Sequence, residues 1–185
     1  MFTSKWFERQ KYVPLLPDPP KSKPAATLRP APGMAPGSSI QYHPDLIGRF
    51  KDQHAELQKT FHAIKSQVQN SDFVDVRKSL QAFKQALMAH LLEENIKLYT
   101  YLSRCVAGNA DSRELMLNLK SEMERVGTAM MRIINKHTDT DATATSPDRQ
   151  TLLDDLDEVG AMLFNRIQRE ETSLYELYVP PEDFR

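Results

Sequence analysis

His90 and Glu94 stand four residues apart in the stretch AHLLEENIKLYTYL, which runs from Ala89 to Leu102. Apolar residues recur around them in steps of three and four: Val76, Leu80, Phe83 and Leu87 before, Leu98 and Leu102 after. That spacing keeps all of them on one stripe of a helix. An imidazole and a carboxylate therefore occupy places where a packed core asks for leucine. Burying either is costly unless it is paired, hydrogen-bonded or bound to a metal. Two further stripes carry the same kind of exception. His54 lies within Ile47, Phe50, His54, Leu57, Phe61, Ile64, Val68. Arg166 and Glu170, again four apart, lie within Leu152, Leu156, Val159, Leu163, Arg166, Glu170, Leu174, Leu177. Inward-facing carboxylates and histidines on facing helices are how bundles hold metals, and this donor pair suits iron, zinc or manganese. His62 is eight residues beyond His54, rotated off the core face, and is expected in solvent.

The elements that must position these groups are helices. The first is expected to open near His43, with Pro44 and Asp45 in its first turn. Asn70, Ser71 and Asp72 break the chain and cap a second helix that runs to about Val106. Gly108, Asn109 and Ala110 end it, and Asp111 with Glu114 resembles a capping pair for the third. The third stripe, Leu115, Leu119, Met123, Val126, Met130, Ile133, carries no histidine. His137 to Ser146 reads as a polar loop, in which His137, Asp139 and Asp141 are expected to be solvated. Ser146, Pro147 and Asp148 start the fourth helix, which Pro180 and Pro181 stop. Four amphipathic helices with short connections predict an all-α, antiparallel up-down four-helix bundle over residues 42–180. Moving the second helix onto the fourth by 76 residues places His90 on Arg166, Glu94 on Glu170, Leu98 on Leu174 and Tyr99 on Tyr175. This weak internal repeat falls on the anomalous residues.

Composition bounds the function. The chain has 185 residues and a formal net charge of −1, with +4 on residues 1–41 and −5 on the rest. A basic tail on a mildly acidic body does not make a nucleic-acid-binding domain. Pro14 to Gln41 holds eight of the twelve prolines, so 1–41 reads as a largely disordered Pro-rich linker with a basic, aromatic tip. The single cysteine, Cys105, fits a reducing compartment and reads as a small buried apolar residue. No apolar run reaches membrane-spanning length and no signal peptide is visible, so the cytoplasm is expected. Nor is there a nucleophile beside a base, a phosphate loop or zinc-hydrolase spacing, so no enzyme is expected.

These residues resemble the hemerythrin-like, or HHE cation-binding, domains. The resemblance runs from about His43 to Tyr178 and rests on DQHAEL, HLLEENIKLY and REETSLY. It implies a bundle that binds two carboxylate-bridged irons and serves oxygen binding, iron sensing or stress responses. Of the ligands it implies, His54, His90, Glu94 and Glu170 are present. Two are not: the third helix offers Arg125 or Val126 near the expected level, and Arg166 replaces a histidine on the fourth. An arginine cannot ligate a metal, but beside Glu94 and Glu170 it can replace a metal's charge. A complete di-iron centre is therefore not expected. What is expected is one iron or other divalent transition metal at a degenerate or mononuclear site, in a non-enzymatic sensing or regulatory protein with a protein partner. A metal-free reading stays open, in which His54, His90, Glu94, Arg166 and Glu170 form a polar layer that holds only if every member is satisfied. Tyr99 and Tyr175 flank this level, as hydroxyl donors or simply as aromatics.

A second resemblance is to the Rsd/AlgQ anti-sigma regulators. Leu46, Arg49, Phe50, Leu57 and Phe61 are in register with that family's opening helix. On the fourth helix, Leu156, Val159, Gly160, Leu163, Arg166, Glu170 and Glu171 are similar to that family's L-x-x-I/L-G-x-x-L-x-x-R-F-x-x-E-D stretch. Gly48 departs from the pattern, and the family's G-H-F segment is missing. This resemblance implies binding to the primary sigma factor of RNA polymerase, with Arg166 an expected residue.

Overall fold

The computed structural model describes residues 33–70, 73–138 and 148–184. The tip and most of the Pro-rich segment, the expected Ser71–Asp72 cap, and Asp139 and Asp141 lie outside them. Five α-helices follow in order: α1 Leu46–Asn70, α2 Phe73–Glu94, α3 Thr100–Cys105, α4 Ala110–Thr138 and α5 Arg149–Arg169. α3 continues α2 beyond a π-helical turn at Asn95–Tyr99, and a second π-helical turn, Glu170–Leu174, extends α5. The long helices form a closed bundle in which each packs against its chain neighbours and α5 returns to α1. No helix among the described residues is long and apolar enough to cross a membrane.

The stripes read from the sequence are the buried faces, with one-residue adjustments. Leu46 rather than Ile47 opens the buried stripe of α1, and Met116 rather than Leu115 that of α4. Two caps differ from the sequence reading. Asn109, read as a terminator, also starts α4, because its Oδ1 accepts from Ser112 N at 2.9 Å. Asp148 is itself the cap of α5, accepting from Gln150 N at 3.2 Å and Thr151 N at 3.3 Å. His137 is a correction. α4 runs through it, leaving it 2% exposed and donating from Nε2 to Asp155 Oδ2 at 2.7 Å. The packing of α4 on α5 holds it inside, where a local count of polar residues placed it in solvent. His62 is exposed, as expected.

Part of the expected linker is folded. Gly33 to Tyr42 turns back on itself through Ala35 N–Ile40 O at 2.8 Å and Tyr42 N–Gly33 O at 2.7 Å. Ala35 is fully buried, and Tyr42 stacks on Tyr178 with centroids 4.9 Å apart. This segment and the chain after α5 close one end of the bundle, where Tyr101 Oη donates to Val179 O at 2.6 Å. Cys105 is half-buried against that end.

The apolar interior divides into two clusters. One runs from Leu57, Leu87, Val126 and Leu163 to the far end. The other gathers Phe50, Leu98, Leu102, Met123, Leu174 and Tyr175. Between them lie the buried polar residues His54, His90, Glu94, Arg166 and Glu170. Packing in the first cluster is tight. A Cβ on Gly160 would come within 2.6 Å of Phe61 Cε1 and Cζ, and Phe61 is hemmed in by Phe83 at 5.8 Å and Phe164 at 5.3 Å. Gly160→Ala is therefore expected to lower stability by about 1–3 kcal/mol, as overpacked cores do, read as a fall in the urea midpoint at unchanged slope.

Candidate metal centre

α1 delivers His54, α2 delivers His90 and Glu94, and α5 with its π-turn delivers Arg166 and Glu170. All five are at most 5% exposed. His54 Nε2 lies 3.1 Å from His90 Nε2 and 3.5 Å from Glu170 Oε2. Ligand atoms of His54, His90 and Glu170 all lie within 4.8 Å of one another.

The partners of the outer ring nitrogens decide what faces the centre. His54 Nδ1 meets Glu171 Oε1 at 2.8 Å, and His90 Nδ1 meets Gln53 Oε1 at 2.8 Å. The Gln53 amide is oriented in turn, because its Nε2 donates to Glu93 Oε2 at 3.1 Å. A carboxylate and an amide oxygen can only accept, so both Nδ1 atoms carry protons. Both Nε2 atoms then present lone pairs to the same point. Two lone pairs 3.1 Å apart repel each other unless a cation lies between them. Bonds of about 2.0–2.2 Å to a shared ion put neighbouring ligand atoms roughly 3 Å apart, so the residues fit a metal. Nδ1 atoms held by a carboxylate and an amide are the outer-shell arrangement that fixes metal-binding histidines.

Arg166 donates to Leu119 O from Nε at 3.2 Å and to Tyr99 Oη from Nη2 at 2.6 Å, and Nη2 also pairs with Glu170 Oε1. Its expected pairing with Glu170 is present. The expected hydrogen bond to Glu94 is not, because neither Glu94 oxygen has a hydrogen-bond partner in the structure. Glu94, expected as a fourth ligand, is fully buried with both oxygens unpartnered, but it lies outside the group of ligand atoms that His54, His90 and Glu170 form. Arg125 does not belong to the site. It is exposed on the outer face of α4, while Met123, Val126 and Gly127 form that helix's wall.

Burial sets the protonation states. It holds His54 down to about 4, helped by the Arg166 guanidinium, and His90 down to about 4 against the pull of Glu94. Both imidazoles are therefore neutral near pH 7, the form that ligates metals. Burial pushes the Glu94 carboxyl up, opposed by Arg166 and His90, and pushes the Tyr99 and Tyr175 hydroxyls up. A cavity of about 20 Å³ adjoins His54, His90, Arg166 and Glu170, with Leu57, Leu91, Val126 and Leu163 on its other side. It has room for one water-sized molecule.

Gln53, Glu93 and Glu171 are not among the candidate site residues of the sequence, where Glu171 enters only through the Rsd/AlgQ resemblance. Each adjoins a stripe member, His54, Glu94 or Glu170, and reaches inward from the flank. Gln53→Leu removes the acceptor that holds the His90 ring, and is expected to weaken metal binding by about 10–100-fold, measured by competition with a chromogenic chelator.

A model of the family described as Hemerythrin, the hemerythrin HHE cation binding domain, matches residues 45–178. No curated protein and no solved structure matches the chain. The Rsd/AlgQ resemblance gains no support from these matches.

Proposed function

From a chain that belongs to the hemerythrin HHE cation-binding family, we propose a protein that holds one transition-metal ion, iron or another divalent metal, and uses it in non-enzymatic sensing or regulation. The observation that carries this reading is the convergence of His54 Nε2, His90 Nε2 and Glu170 Oε2 from three helical segments on one buried point. Two imidazoles and a carboxylate are the donor set of non-haem iron sites with open positions. Glu94, buried one helical turn beyond His90 with both oxygens unpartnered, stands outside this group as a reserve of negative charge. Arg166 limits the site to one ion: it takes Glu170 Oε1 and leaves Oε2 facing the histidines.

A bound iron would supply an open coordination position and a redox couple. The protein's own groups do the rest. Glu171 and Gln53 keep the Nδ1 protons outward, Arg166, itself held by Tyr99 Oη, pairs with the Glu170 carboxylate, and the two apolar clusters keep bulk water away. The adjoining cavity has room for one water-sized molecule beside His54, His90 and Glu170. π-helical turns interrupt α-helices often at functional sites. Here one follows Glu94 and the other begins at Glu170, so a change at the ion reaches both helices at their least regular points. The test is amide hydrogen exchange of the full chain with and without iron(II). Slower exchange at Asn95–Tyr99 and Glu170–Leu174 on metal addition is expected; metal binding that leaves both turns unchanged contradicts the sensing role.

A further inference from the structure

We propose that Tyr175 is a further ligand, coordinating the ion at His54, His90 and Glu170 through its phenolate oxygen; this rests on the metal-binding reading above. Three donor atoms ring His54 Nε2: His90 Nε2 at 3.1 Å, Tyr175 Oη at 3.4 Å and Glu170 Oε2 at 3.5 Å. The phenol oxygen is thus as close to His54 Nε2 as the carboxylate is. Its ring cannot swing away. Tyr175 is 6% exposed, lies nearly parallel to the His54 ring at 8° with centroids 5.9 Å apart, and is backed by Phe50 at 6.2 Å.

The other buried tyrosine hydroxyls are engaged at short range. Tyr99 Oη accepts from Arg166 at 2.6 Å, Tyr101 Oη donates to Val179 O at 2.6 Å, and Tyr178 Oη accepts from His43 N at 2.9 Å. Tyr175 has the long contact to His54 Nε2. Buried phenols ordinarily find a good partner, and an ion at the convergence point supplies one. The internal repeat sharpens the contrast. Tyr99 stands at the equivalent place on the second helix, but Arg166 is the cation it meets. Hard oxygen donors suit iron, and tyrosinate is an established iron ligand in other proteins. On coordination the O–H bond is exchanged for an O–metal bond, the proton leaves to solvent, and no electron moves.

The full chain is loaded with iron(III) supplied as its nitrilotriacetate complex, and the iron per chain is measured alongside the visible spectrum and resonance Raman. The wild type is expected to bind one iron and to show a phenolate-to-iron charge-transfer band with enhanced tyrosinate ring modes. Tyr175→Phe is expected to keep the fold, lose band and modes, and bind iron(III) roughly tenfold or more weakly, at least the loss caused by removing an outer-shell partner. Tyr99→Phe is expected to keep the band. One iron per chain with no band, or a band that survives Tyr175→Phe, overturns the ligand assignment alone. A chain that takes up neither iron(III) nor, offered in parallel, iron(II), zinc(II) or manganese(II) overturns the metal-binding reading with it.

Discussion

His90→Ala is expected to strip the metal from the purified protein, weakening its binding by more than about 100-fold, beyond what the loss of an outer-shell partner causes. His90 supplies one of the two Nε2 donors and lies 3.1 Å from the other, so its loss removes half of the imidazole donor set. The same change leaves Gln53 Oε1 without its donor and opens space beside Leu87 and Leu91. Stability should therefore fall as well, by about 1–3 kcal/mol for an orphaned buried partner. The two readouts separate the metal centre from a metal-free polar layer, which would lose stability and show no change in metal content. Two other histidines serve as controls. His62→Ala, at an exposed position, is expected to change neither quantity. His137→Ala should cost stability through the lost Asp155 contact and leave the metal in place.

Acid is expected to be the condition that undoes the metal-free bundle. Burial lowers His54 and His90 from 6.5 to about 4. Between those values the unfolded chain binds more protons than the folded one, so stability is full above pH 6.5 and drains as the pH falls toward 4. The loss reaches up to roughly 3 kcal/mol for each histidine, a large share of the 5–15 kcal/mol typical of a whole domain. Glu94 works in the opposite sense. Its raised pKa means that the folded state takes up the proton first, which relieves a buried charge as the solution becomes acid. Urea midpoints measured over this pH range with a chelator present are expected to fall steeply on the acid side, and His90→Leu should shrink that dependence by about half. An equal slope in wild type and variant would mean that the histidines do not carry it.

The bundle was legible because its stripes are long and regular. Phe50, His54, Leu57, Phe61, Ile64 and Val68 are the buried face of α1 as their spacing requires, and the same holds for Leu80, Phe83, Leu87 and His90. The polar layer was legible for the same reason, since a histidine inside such a stripe has nowhere to go but inward. Residues off the stripe were not. Gln53 and Glu171 act from the flank, and only the packing of α1 against α2 and α5 brings them to the imidazoles. His137 looked like a loop residue because its neighbours after Thr138 are polar, while its burial depends on α5 across the bundle. Arg125 has the right level on the third helix, but level alone does not choose the face, and it is exposed. The π-turn after Glu94 leaves a trace in the residue spacing. His90, Glu94, Leu98 and Leu102 form successive steps of four, each drifting about 40° on a regular α-helix, and an underwound turn at Asn95–Tyr99 returns them to the core.

The most direct measurement is the metal content of the full chain, purified without chelator or affinity metal and then titrated with iron(II) under nitrogen, read by native mass spectrometry. One ion per chain is expected, lost in the His54→Ala, His90→Ala double variant while its helical circular dichroism persists. A wild-type chain that stays metal-free throughout the titration, or a double variant that still holds its ion, would contradict the metal centre.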